Sequence, residues 1–311
     1  MNRNIVRAAR CLALAALLIP VARAEEPILG STSKADWPTE ITRRPLTLNQ
    51  GMAELWLPVN MNLSDGQEFE PVNLNPSLYY GITNEWMIGI RHFVGICASG
   101  EDQGCAETYD DVSVDTLLAF GRYAGVQFGI GGALNYAPIH EPSAWSAEAK
   151  LAIRAGGGAF AITLMPTVNF GLNDRDASSD LLPDGTPPYK WTGTPQNLGT
   201  YNVLTLAATP GNREYLLVPV TLQLQLGSSL ALAVGASLNG PLNAKDLDFG
   251  DVYTIPVSVA AVVTPSRWLD LGAALTFPNL AGADFSSDTS TFTLANGTDY
   301  RQLALFATFR L

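Results

Sequence analysis

The chain has 311 residues, 47% of them hydrophobic and only 15% charged, with 29 acidic side chains against 18 basic ones. A net charge of −11 excludes a basic nucleic-acid-binding surface, and no run reaches the roughly 18–20 apolar residues of a membrane helix. The 28 glycines and 20 prolines disfavour long helices, which leaves a soluble β-protein or a membrane β-barrel.

Residues 1–24 read as a cleavable secretory signal. Arg3, Arg7 and Arg10 form a basic head, Cys11 to Pro20 an apolar core, and Ala22-Arg23-Ala24 the cleavage site. Removing them leaves 14 basic residues against 29 acidic ones, a net charge of −15. Residues 25–50 are expected to be a periplasmic N-terminal segment.

From Gly51 onward the sequence alternates with period two over twelve segments. Successive strand residues face opposite ways, so each segment builds one apolar and one polar surface. Leu55, Leu57, Val59 and Met61 oppose Glu54, Trp56, Asn60 and Asn62 in the first. The next two place Val72, Leu74, Leu78 and Tyr80 against Asn73, Asn75 and Ser77, then Trp86, Ile88 and Ile90 against Met87, Gly89 and Arg91. Val112 to Phe120 carries Asp115 on its polar face, and Val126 to Leu134 carries Gln127, Gly129 and Gly131. Trp145 to Ile153 opposes Glu148, Lys150 and Arg154, and Phe160 to Phe170 opposes Thr163, Thr167 and Asn169. Leu216 to Leu226, the most regular case, carries Thr221, Gln223 and Gln225. The last four run from Leu230, Tyr253, Leu269 and Leu303, the third bearing Asp270 and the fourth Arg310.

Short turns at 83–85, 122–124, 156–158, 227–229 and 265–267 alternate with long polar loops at 64–71, 95–109, 137–144, 173–213, 240–250 and 279–299. That rhythm belongs to an outer-membrane barrel with short periplasmic turns. Counted to the first residue of the following strand, the long loops hold a net charge of about −16. Tyr80, Trp86, Phe160 and Trp268 lie at the short-turn end, and Trp145, Phe170, Tyr253, Phe277 and Tyr300 at the other, as two interfacial girdles do. The fold expected is all-β, a transmembrane antiparallel up-and-down β-barrel of about twelve strands spanning 51–311. Fourteen result if 202–207 belongs to a further hairpin.

The final segment, Leu303 to Leu311, is apolar at every second residue and resembles the C-terminal assembly signal of Gram-negative outer-membrane β-barrel proteins. It departs from their common terminal Phe, ending in Leu311 with Phe309 two before it. The resemblance implies a porin-like barrel in the cell outer membrane. Its partners are then outer-membrane lipid, lipopolysaccharide and the barrel-assembly machinery, with divalent cations at the acidic loops and no nucleic acid.

Cys97 and Cys105 enclose a polar loop in an exported chain and read as a disulfide. His92 and His140 are the two histidines, and His140-Glu-Pro-Ser143 lacks the spacing of an outer-membrane phospholipase. Neither an enzyme, a cofactor nor a metal site is expected. The residues assigned to the lumen are Arg91, Asp115, Glu148, Lys150, Arg154, Gln223, Asp270 and Arg310. The function expected is passive diffusion of small hydrophilic solutes or ions through an outer-membrane channel. The alternative is a closed structural or surface-interaction barrel with acidic extracellular loops. Loop 173–213 exceeds the ~12–15 residues at which loops without a role become uncommon, and is expected to gate the mouth.

Overall fold

The structure is a computed structural model that describes residues 33–63, 69, 72–92, 96–99, 112–123, 125–137, 144–173, 214–242, 253–277, 280 and 301–311. Fifteen strand segments form a single sheet among these residues. They are β1 (Ala53–Asn62), β2 (Val72–Leu74), β3 (Ser77–Gly81), β4 (Trp86–Arg91), β5 (Ile96–Ser99), β6 (Val112–Tyr123), β7 (Val126–Ala137), β8 (Ala144–Gly157), β9 (Phe160–Leu164), β10 (Thr167–Gly171), β11 (Tyr215–Gln225), β12 (Leu230–Pro241), β13 (Val257–Ser266), β14 (Leu269–Phe277) and β15 (Gln302–Arg310).

Three of the breaks fall within wall strands. β2 and β3 flank Asn75-Pro76, β4 and β5 pair with β3 and β2 respectively, and β9 and β10 flank Met165-Pro166. Proline has no N–H to give to a ladder, yet the Pro76 and Pro166 carbonyls still accept bonds from the His92 and Leu151 amides, both at 3.0 Å. The wall therefore has twelve strands, each antiparallel to the next, and β15 pairs with β1 to close it. Because β10 pairs directly with β11, at Thr167↔Leu217, no hairpin from the loop between them enters the wall. Twelve is the number, not fourteen.

Some boundaries differ from the sequence expectation. The turns expected at 122–124, 156–158 and 265–267 are tighter and later, because Tyr123 pairs with Val126, Gly157 with Phe160 and Ser266 with Leu269. Each is a two-residue hairpin connection, and Gly125 (φ 81°) and Gly158 (φ 61°) supply the left-handed backbone two of them use. The segment expected from Tyr253 enters the ladder proper only at Val257, after Pro256; before that Thr254 alone bridges, to Asn239. Cys105, the expected disulfide partner of Cys97, lies outside the described residues, as do His140, all but Asn173 of the loop expected to gate, and most of the acidic loops.

The outer surface is a continuous apolar band. Leu78, Ile90, Val114, Ile130 and Leu222 all stand exposed on it. Trp86 and Trp268 lie at its short-turn rim and Trp145 and Phe170 at the other, all exposed. The Trp86 indole N–H bonds the Thr116 hydroxyl at 2.9 Å, so its polar atom is satisfied at the rim.

Inside, two glycines seat aromatic rings from the neighbouring strand. Gly272 faces Phe306 and Gly89 faces Tyr79 across their ladders, and a Cβ on either glycine would come 2.2 Å from the ring. Both rings fill the gap that the missing side chain leaves, the arrangement by which aromatics compensate strand glycines. Gly272→Ala is expected to destabilise the barrel by about 1–3 kcal/mol, the usual range for overpacking a filled interior. Phe306→Leu in that background should restore part of the loss. Denaturant unfolding in detergent, followed by heat-dependent gel mobility, measures both.

Candidate functional site

The interior is organised around the chain's own N-terminal segment. Residues 33–52 include two 3₁₀ turns, Lys34–Asp36 and Ile41–Arg43, and otherwise have no regular structure. The segment 25–50 carries no period-two pattern that would place it in the wall, and its described part crosses the lumen. Trp37, Leu46, Leu48 and Met52 pack with Tyr79, Met87, Leu117, Ala119, Ala152 and Met165. Ile41 packs with Trp56, Val262, Ala274 and Phe306 on the other side. Leu46 and Met52 are fully buried. A segment that buries apolar side chains against two separated stretches of wall is a plug.

Its level in the barrel is set by its bonds to the short turns. The Thr42 hydroxyl donates to the Gly158 carbonyl and the Thr47 hydroxyl to the Asn84 carbonyl, each at 2.7 Å. The Gln50 amide donates to Asn84 Oδ1 at 2.9 Å. Gly51, at φ 73°, then turns the chain into β1, with its amide on the Gly81 carbonyl at 2.8 Å. The plug thus occupies the short-turn mouth. Ala53 and Leu311 exchange amide bonds at the same end, so wall closure and plug attachment are neighbours.

Buried backbone groups need partners, and wall glutamines supply them. Gln225 Oε1 accepts the Ile41 amide at 2.9 Å, and Gln127 Oε1 accepts the Leu46 amide at 2.8 Å. Arg154 donates from Nε to the Arg44 carbonyl and from Nη2 to the Ile41 carbonyl, both at 2.8 Å. Its remaining bonds run to Thr163 Oγ1 at 2.7 Å and Gln223 Oε1 at 2.9 Å. Among the described residues no carboxylate pairs with it.

Two charge networks share this interior. On β1, β14 and β15, Arg44 grips Asp270 through both guanidinium nitrogens, at 2.6 and 2.8 Å. Asp270 also accepts from Arg310 at 2.6 Å and from Thr264 at 2.7 Å, and Arg310 reaches Glu54 at 2.7 Å. The Arg310 guanidinium lies 5.7 Å from the Trp37 ring centroid. On β4, β6 and β8, further from the plug, Lys150 binds Asp115 at 2.8 Å and Glu148 at 2.9 Å. Arg91 closes that square, to Asp115 at 3.2 Å and Glu148 at 2.9 Å. Asn135 adds a bond to Glu148 at 3.0 Å and accepts one from Ser113 at 2.6 Å.

The eight residues assigned to the lumen therefore fall into three groups. Arg91, Asp115, Glu148 and Lys150 form one cluster, Asp270 and Arg310 belong to the plug latch, and Arg154 and Gln223 hold the plug backbone. Sequence reasoning missed Arg44, Gln127, Gln225 and the plug itself. The signal was an apolar patch on a face that should be polar: Trp56, Tyr79, Met87, Leu117 and Phe306 all point inward near the short turns. His92 is buried beside its strand end.

Among solved structures, the chain is similar to the NanC porin, at 10% identity and a TM-score of 0.51 over 82% of this chain and 100% of that one. Lower scores relate it to the KdgM porin, at 6% identity and 0.48 over 82% and 98% of the two chains. They also relate it to an outer membrane channel from Pseudomonas putida F1, at 10% identity and 0.47 over 90% and 100%. No family model and no curated protein matches the chain. At these identities the likeness is one of fold, that of an outer-membrane β-barrel protein.

Proposed function

We propose that this chain is an outer-membrane channel for small hydrophilic solutes, closed at its short-turn mouth by residues 33–52. The observation that carries the reading is what fills that mouth. The obstruction is a separate segment joined at Gly51, while the wall behind it is lined by Asn60, Asn73, Asn75, Ser113, Asn135 and Asn239. Twelve strands ~4.8 Å apart and tilted ~40° enclose a backbone radius of roughly 12 Å. A barrel of that width, polar inside and stoppered by a detachable piece, is built to conduct once the piece moves.

The wall's inner charge supports weak selectivity. Glu54, Asp115, Glu148 and Asp270 balance Arg91, Lys150, Arg154 and Arg310, and of the plug's charged residues only Arg44 is buried among them. Rings of one sign impose ion selectivity, and there is no such ring here among the described residues. Single-channel recording in planar bilayers tests the proposal. The full chain is expected to be mostly closed, with brief openings that pass potassium and chloride at similar rates. Silence from the full chain and from a plug-free chain alike would overturn it, in favour of a closed structural or surface-interaction barrel.

A further inference from the structure

We propose that the wall groups holding Arg44 form a receptor for a guanidinium-bearing zwitterion, a basic α-amino acid of the arginine type, and that Arg44 is its built-in surrogate. The proposal names the solute class of the channel proposed above and rests on that reading, but the binding step is measurable apart from conduction.

The first half of the argument is the state of the wall with the plug aside. Asp270 is held in place by Arg310 and Thr264, and Arg310 is in turn held by Glu54. Those three charged side chains sum to one uncompensated negative charge, on a carboxylate already oriented to accept a planar fork. A guanidinium matches it with two parallel bonds, as Arg44 does at 2.6 and 2.8 Å. An ammonium is a point charge and makes no such fork.

The second half lies five wall strands away, on β8. Arg154 is fixed by Thr163 and Gln223, and among the described residues no carboxylate compensates its positive charge. Its Nε and Nη2 point at two oxygens, the carbonyls of Arg44 and Ile41. Two acceptors on one guanidinium edge are what a carboxylate presents.

One residue spans the two halves. Arg44 places its carbonyl on Arg154 and its guanidinium on Asp270. In free arginine a carboxylate stands where that carbonyl is, so the same length of molecule meets both charged ends. Val262 and Phe306 of the wall line the space beside Arg44 and suit a chain of methylenes. A neutral sugar offers neither charge. An acidic sugar sets a second anion beside Glu54 and Asp270, which disfavours it.

The test is rescue of a vacated site in the otherwise full-length protein. Arg44→Ala is purified in detergent and titrated with L-arginine, with agmatine, which lacks the carboxylate, and with L-citrulline, which lacks the cation. The melting temperature of Arg44→Ala is expected to fall below that of the wild type. L-arginine and agmatine at millimolar concentration should both raise it again and citrulline should not, with the wild type unmoved, because the main-chain carbonyls at positions 41 and 44 still occupy Arg154 in this variant. Arg44→Gln keeps most of the side chain's volume and should give the same ranking if the alanine variant folds poorly. Adding Asp270→Asn should abolish the response. Deleting residues 33–50 frees Arg154 as well; in that chain L-arginine should stabilise more than agmatine, and adding Arg154→Gln should remove the preference.

Equal responses to arginine and citrulline, or none in either Arg44 variant, would overturn the receptor. Bilayer recording of the same variants keeps the two readings apart. Current that arginine neither blocks nor reduces, without rescue, leaves the channel standing and removes the receptor. Rescue without any current leaves the receptor and removes the channel.

Discussion

Deleting residues 33–50 should raise the conductance of the barrel by at least about tenfold, because the plug is the narrowest element of a lumen whose wall is roughly 12 Å in backbone radius. The deletion starts inside the described part of the segment and stops before Gly51, which keeps the Ala53–Leu311 closure and the β1–β15 ladder intact. It removes the apolar seats of Trp37, Leu46 and Leu48, and so bares Tyr79, Met87 and Leu117 to water in the lumen. Some loss of stability is therefore expected alongside the gain in conductance, and the two must be measured together. Recordings in planar bilayers and swelling of proteoliposomes in sugars of graded size read the opening. Unchanged conductance from a correctly folded deletion variant would show that the constriction lies elsewhere, and the long loop 173–213 then becomes the element to remove.

The wall was legible because lipid and lumen force opposite chemistry on alternate residues. Val218, Val220 and Leu222 interleave with Pro219, Thr221 and Gln223 on β11, and only a strand with one face to lipid rewards that order. Closure was legible from the alternating lengths of the connections. The breaks at Pro76, Pro166 and Pro256 were not legible, since Pro58 and Pro219 lack the same donor and sit inside unbroken strands.

The plug was not legible in the same way. Residues 33–52 have no period, because each side chain answers to whatever part of the wall it meets. Arg44 is one of two adjacent arginines, and nothing local distinguishes the one that finds Asp270, 226 positions further along, from the one that does not. What alternation did contain was an inconsistency. Tyr79, Met87, Leu117 and Phe306 occupy inward positions where a water-filled lumen has no use for them. Bulky apolar residues on the polar face of a barrel strand require something apolar to cover them, and among the described residues that cover is the segment 33–52.

Asp270→Ala should be the most destabilising single change in the interior, by about 3–5 kcal/mol, the cost of breaking a buried ion pair by removing one partner. Its carboxylate takes bonds from Arg44, Arg310 and Thr264 at once. Without it Arg44 keeps only the carbonyls of Pro38 and Thr39 and the Thr264 hydroxyl, and Arg310 keeps Glu54. Two guanidiniums then share one carboxylate in a dry interior. Arg44→Met alone leaves Asp270 and Glu54 against Arg310 with one uncompensated negative charge and should also destabilise. It should do so by less, because Asp270 keeps its bonds to Arg310 and Thr264. On Asp270→Ala it removes the surplus cation. The pair is therefore expected to be non-additive: Arg44→Met should recover part of the loss when placed on Asp270→Ala, with a coupling within the 0.5–3 kcal/mol typical of residues in one network. Denaturant unfolding of the wild type, both single variants and the double variant closes the cycle. Additive effects would mean that the Arg44–Asp270 pair contributes nothing to holding the plug, which then rests on its apolar seats and on the bonds from Arg154, Gln127 and Gln225.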